Sequence, residues 1–215
     1  MTNWEAMGGG FAILAVDLAA LVGWSAWLAR KDRYASRKRR VAWLPVFVLA
    51  GMASAPLSAF AYGINGLWVL AGTGDGVVAS FLYNTLFVAI SEESVKFLAF
   101  LAAARLAKAY REPLDGALHG ATVGLGFALV ENFLYGLDYG IANIAIRSLS
   151  ELGGHMAYTA LSGAVWGGTL YWGEIRAERL WRGLPVLGVA AASLANGLHN
   201  TIADNAGFPV FLWDA

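Results

Sequence analysis

The chain has 215 residues, of which 58% are hydrophobic and 14% are charged. Soluble domains carry about a quarter charged residues, so this composition excludes an ordinary soluble domain. The formal net charge is zero, which argues against a nucleic-acid partner. There are no cysteines, which excludes a disulfide framework and a thiolate metal site.

The apolar residues are collected into long blocks, each near the roughly 20 residues that a helix needs to cross a bilayer core. These blocks are apolar all round, whereas the helices of soluble proteins keep a polar face. The sequence therefore predicts an all-α, polytopic membrane helix bundle of about six transmembrane helices, with residues 1–215 forming a single domain. The predicted spans are 8–29, 41–63, 77–104, 114–137, 150–172 and 184–203.

Residues 1–10 contain no Lys or Arg, whereas a cleavable signal peptide begins with a positive segment, so the first block is expected to be a retained helix. Basic residues are concentrated in the connections after the first, third and fifth blocks, and the opposite connections hold only Arg147. Basic connections stay in the cytoplasm. This pattern predicts a multi-pass protein of the plasma membrane with both termini outside. The basic residues are Arg30, Lys31, Arg33, Arg37, Lys38, Arg39, Arg40, Arg105, Lys108, Arg111, Arg176, Arg179 and Arg182.

Small residues recur every four positions in the fourth and fifth blocks. Such spacing puts them on one helix face, where they let two helix backbones approach closely in lipid. The spacing therefore predicts close packing of these two helices. The residues are Gly116, Gly120 and Gly124, then Gly163 and Gly167.

Ionisable and amide side chains lie inside four of the apolar blocks. A charge near the bilayer centre costs roughly 2.5–3.5 kcal/mol on insertion scales, and such residues usually mark a functional site. At about 1.5 Å per residue, the four groups lie about 20–26 Å above the cytoplasmic ends of their helices. They are therefore expected to share one layer in the outer half of the membrane and to surround one cavity. The residues are Glu92, Glu93 and Lys96; Glu131 and Asn132; His155; and Asn196 and His199.

This set suits the activation of a water molecule. Glu92 and Lys96 are four residues apart and share a helix face, so Lys96 can hold Glu92 ionised, while Glu93 points about 100° away. A carboxylate and an imidazole can together deprotonate a water, and a second His with an Asn can stabilise an oxyanion. The alternatives are a proton-coupled or ion transporter, and a non-catalytic scaffold or immunity protein. His119 lies about 18 Å from Glu131 along its helix and is predicted to be structural.

The motifs, taken in order, resemble those of the PrsW family of intramembrane proteases. They are Glu92-Glu93-x-x-Lys96, then Phe127-x-x-x-Glu131-Asn132 after a glycine-rich lead-in, then a helix with His155 and a helix with His199. More distant cousins, the CAAX prenyl endopeptidases and Abi-type immunity proteins, carry Glu-Glu-x-x-x-Arg and Phe-x-x-x-His. The present chain departs from both of those motifs, which favours PrsW.

The resemblance implies a membrane-embedded endopeptidase that cuts a membrane-anchored protein, such as an anti-sigma factor, near the outer membrane face. It implies Glu92 and Glu93 as the catalytic pair, completed by His155 and His199, with Glu131 in the same site. Lys96, Asn132 and Asn196 are supporting residues. The expected cofactor is either none or one divalent metal ion such as zinc. In the second case the predicted ligands are Glu92, Glu131, His155 and His199.

Overall fold

A computed structural model describes residues 3–32, 37–66, 76–108, 113–176 and 184–205. Within these ranges the chain is almost entirely helical and contains no strand, which confirms the predicted all-α class. A π-helical segment joins two of the helices, so the described chain forms six helical runs. The elements are α1 (Asn3–Lys31), α2 (Arg37–Ile64), α3 (Val77–Tyr83), the π-helical segment (Asn84–Ala89), α4 (Ile90–Ala107), α5 (Pro113–Tyr139), α6 (Ile141–Arg176) and α7 (Leu184–Asn205).

Helix α6 begins earlier than the sequence predicts, at Ile141 instead of residue 150. The reason is Gly140, whose φ of 84° lets a single residue link α5 to α6. Arg147 was expected in an outer connection, but it is a buried residue of α6. The connections 33–36, 109–112 and 177–183 lie outside the described residues. They contain some of the basic residues that are predicted to lie in the cytoplasm.

Successive helical runs alternate in direction. Helix α1 is antiparallel to α5, because Ile13 lies against Gly136 while Leu28 packs with Leu118. Helix α5 is antiparallel to α6, and α7 is antiparallel to α6. The beginning of α1 and the end of α7 therefore lie on the same side of the bundle.

Helices α5 and α6 approach each other along a seam of small residues, as their spacing predicts. A Cβ added at Gly116 would overlap the backbone of Gly163, and one added at Gly124 would overlap the carbonyl oxygen of His155. Only glycine permits this backbone distance. The seam therefore fixes the height of His155 against α5.

The surface of the bundle is apolar and much of its interior is polar, the reverse of a soluble protein. Leu149 and Val186 are exposed, whereas Glu93 and Lys96 are completely buried. By length and composition, Gly9–Lys31, Trp43–Ile64 and Leu114–Tyr139 can cross a membrane. The other three runs carry most of the buried polar groups of the described residues. Together these features confirm a membrane helix bundle.

Candidate active site

Four helices bring six of the eight predicted site residues into one connected network of side chains. Helix α4 contributes three of them, two of which are carboxylates. Helices α5, α6 and α7 contribute a carboxylate, an imidazole and an amide. The six residues are Glu92, Glu93, Lys96, Glu131, His155 and Asn196.

Lys96 lies at the centre of this network. Its Nζ is 2.7 Å from Glu93 Oε1, 3.3 Å from Glu92 Oε2 and 2.8 Å from His155 Nδ1. The face of the Phe127 ring is 4.0 Å from the same ammonium, a cation–π contact. The ammonium is completely buried, and its neighbours offer it two carboxylates and a nitrogen lone pair.

The contacts of His155 define its tautomer. An ammonium can only donate, so Nδ1 of His155 accepts from Lys96 and the ring proton resides on Nε2. That Nε2 donates to Glu131 Oε2 at 2.7 Å. Both ring nitrogens are therefore occupied by protein groups.

The two adjacent glutamates have different surroundings. Glu92 accepts the Tyr62 hydroxyl at 2.6 Å on Oε1, and it accepts Lys96 and the Asn196 amide on Oε2. Glu93 is fully enclosed, with Lys96 and Asn196 on Oε1 and the Thr159 hydroxyl at 3.3 Å on Oε2. Glu92 borders the cavity described next, and Glu93 does not.

A cavity of about 850 Å³ opens in front of Glu92, Glu131 and His155. Its opposite wall is apolar and comes largely from α2, including Met52 and Pro56. An apolar cleft with a few convergent polar groups is the usual form of a binding site. This one has room for several residues of an extended peptide.

Polar residues that the sequence analysis did not assign to the site also border the cavity, among them Tyr62, Arg147 and Glu151. The Nη2 of Arg147 is 3.4 Å from Glu131 Oε2, and its Nε donates to Asn132 Oδ1 at 3.0 Å. Asn132 is therefore held by Arg147 and lies behind the cavity wall. The rarity of arginine inside membrane helices is the signal that could have identified Arg147.

His199 lies outside the network. Its Nε2 is 3.1 Å from Glu151 Oε1, and the Tyr158 ring lies between it and His155, 6.2 Å from each. His119 is stacked on Phe47 at 4.3 Å in the opposite half of the bundle, in keeping with a structural role.

One group of side chains in the site has the donor atoms that a metal ion needs. Glu92, Glu93 and His155 each offer one ligand atom, and these atoms lie within 4.8 Å of one another. Carboxylates and imidazoles are ordinary zinc ligands. However, Lys96 Nζ is within 2.7–3.3 Å of all three residues and occupies the space between them. As arranged, the site does not fit a metal ion. Of the other predicted ligands, Glu131 lies at the opposite side of the His155 ring from Lys96. His199 is hydrogen-bonded to Glu151 instead.

Comparison with known proteins gives one consistent result. Residues 38–213 match the family model described as "PrsW family intramembrane metalloprotease". The chain is 27% identical over 211 residues to "Protease PrsW" of Bacillus subtilis (strain 168), covering 94% of this chain and 91% of that protein. It is 27% identical over 172 residues to "Protease PrsW" of Geobacillus kaustophilus (strain HTA426), covering 80% and 72%. No solved structure matches the chain.

Proposed function

The chain belongs to the PrsW family of intramembrane metalloproteases and is a membrane-embedded endopeptidase; from this premise we propose that Glu92 is its general base. The observation that supports this role is the position of Glu92 at the cavity wall with three hydrogen-bond donors around it. These donors fix the orientation of the carboxylate. Glu92 thus lies in a defined position beside space for water and peptide.

In the proposed reaction, Glu92 takes a proton from a water molecule as the water oxygen attacks the carbonyl carbon of the scissile peptide. The carbon–nitrogen bond then breaks and the proton passes from Glu92 to the leaving nitrogen. The Arg147 guanidinium borders the cavity and has more N–H groups than its contacts with Glu131 and Asn132 use, so it is the donor suited to the developing oxyanion. Asn196 and Asn132 are less suited to this role, because they bind the two glutamates and Arg147.

Glu131 and His155 are proposed to act together as an orienting pair. Glu131 holds the Nε2 proton of His155, and His155 in turn accepts from Lys96. In this state His155 has no free lone pair, so the water proton goes to a carboxylate. His199 and Glu151 form a second pair near the cavity and are proposed to contact bound peptide.

The proposed setting is the plasma membrane, with several spans and both termini outside. Two features support this. The basic residues are concentrated in the connections after the first, third and fifth predicted spans, which is typical of cytoplasmic connections. The alternation of the helices puts Asn3 and Asn205 on the other side from these connections. Tyr62 near the end of α2 and Asp204 near the end of α7 both border the cavity, which puts the cavity in that same half. The proposed substrate is therefore a membrane-anchored protein, such as an anti-sigma factor, cut near the outer membrane face.

The first prediction tests the base with two neighbouring substitutions. Glu92→Gln keeps the shape of the side chain and one acceptor oxygen but removes the basic carboxylate, so cleavage of a membrane-tethered peptide by purified protein should fall about 10²–10⁴-fold. Its thermal stability should change little. Glu93→Gln is the matched control, because it does not border the cavity, and it should lower stability while keeping a rate well above that of Glu92→Gln. Cleavage at the parent rate by both variants would exclude the mechanism.

A further inference from the structure

The network around Lys96 has the composition of a cation-binding site. Two carboxylates and the lone pair of an imidazole converge on one point, and the opposite nitrogen of that imidazole donates to a further carboxylate, Glu131. Histidines that bind metal ions usually donate their second N–H to a carboxylate in just this manner. The point of convergence holds the ammonium of Lys96.

The ammonium and a metal ion cannot share this position. Zinc binds carboxylate oxygen and histidine nitrogen at about 2.0–2.2 Å, so an ion bound by Glu92, Glu93 and His155 would lie in the space that Nζ occupies. Two cations at that distance would also repel each other strongly in a buried site. Lys96 is completely enclosed, with the Phe127 ring 4.0 Å from Nζ, so its ammonium would have to displace packed side chains to make room for an ion.

We propose that the Lys96 ammonium is the resident cation of this active site and excludes a divalent metal ion from Glu92, Glu93 and His155. Its N–H groups donate to both glutamates and to Nδ1 of His155, which holds the imidazole in one tautomer. Lys96 does not border the cavity, so it is a positioning residue. This inference rests on the proposed active site but makes no assumption about the peptide that is cut.

The proposal predicts that removing Lys96 creates a metal site. Purified wild-type protein and Lys96→Ala are dialysed against a chelator and titrated with Co²⁺, and binding is followed by the visible absorption of the bound ion. Lys96→Ala should bind about one Co²⁺ per chain, about a hundredfold more tightly than the wild type. Adding His155→Ala should abolish this binding, and adding Glu131→Gln should weaken it about 10–100-fold. Wild-type cleavage should be unaffected by the chelator.

Wild-type protein that binds one Co²⁺ as tightly as Lys96→Ala would overturn the proposal, as would a folded Lys96→Ala protein that binds none. If Lys96→Ala fails to insert, Lys96→Met, which keeps the side-chain volume, takes its place. If neither variant is obtained, the wild type decides: a bound ion that His155→Ala removes excludes the proposal, and the absence of such an ion supports it. Because these outcomes are metal affinities, they are independent of whether Glu92→Gln abolishes cleavage.

Discussion

At the scale of single residues, the two contacts of the His155 ring decide which side chain can accept a proton from water. Lys96 occupies Nδ1 and Glu131 occupies the Nε2 proton, so the imidazole cannot take a proton from water without breaking one of these contacts. Glu92 is held differently, since its donors fix the carboxylate at the cavity wall. The arrangement favours a carboxylate as the general base, with His155 in an orienting role.

Tyr62 supplies a second prediction at this scale. Tyr62→Phe removes the donor from Glu92 Oε1, and hydrogen bonds to charged groups contribute about 1.5–3 kcal/mol. We expect kcat/KM for a tethered peptide to fall about ten- to a hundredfold. Tyr83→Phe is the matched control, because Tyr83 borders the same cavity but packs its ring against Phe87, with the ring centroids 5.1 Å apart. Equal rates for the two variants would count against a role for the Tyr62 hydroxyl.

At the scale of helices, the seam between α5 and α6 determines the position of His155. Gly124 lies directly against the carbonyl of His155, so any side chain there must move one helix away from the other. Such a displacement would separate Glu131, on α5, from the imidazole on α6. The seam is therefore part of the active-site geometry as well as of the packing.

The seam leads to a third prediction. Gly124→Ala should lower the melting temperature, since overpacking typically costs about 1–3 kcal/mol, and it should also reduce cleavage by displacing His155. Gly168→Ala on α6 is the matched control, because an added Cβ there meets nothing within 4 Å. It should leave cleavage unchanged and be neutral or slightly stabilising, as alanine is the better helix former. Thermal melts and initial rates of both variants in the same detergent make the comparison.

The sequence predicted the helices and the depth of the polar residues, because both follow from counting residues along a helix. Counting residues from the helix ends placed Glu92, Lys96 and His155 at the same level of the bundle. In the structure Lys96 contacts both of the other residues. The direction in which each side chain points around its helix depends on neighbouring helices, which counting does not provide. For that reason the pairing of His199 with Glu151 was not foreseen.

At the scale of the whole molecule, the alternating helices predict the membrane topology. The chain has no cysteine, so a single introduced cysteine can be labelled without background. In intact cells, a cysteine at Gly66, which is exposed between α2 and α3, should react with a membrane-impermeant reagent. A cysteine at Lys108, which is exposed at the end of α4, should react only after the membrane is opened. The opposite labelling pattern would invert the proposed orientation.

The π-helical segment Asn84–Ala89 lies between α3 and α4 in one helical run, and both of these helices contribute residues to the cavity wall. Such a segment corresponds to one residue inserted into an α-helix, and it turns the residues before it by about 100° relative to those after it. Tyr83 and Asn84 border the cavity where the segment begins, and Glu92 borders it after the segment. The direction in which Tyr83 and Asn84 point is thus independent of the direction of Glu92, the proposed base. Insertions or deletions in this one turn can rotate the first part of the cavity wall while the proposed catalytic residues keep their positions.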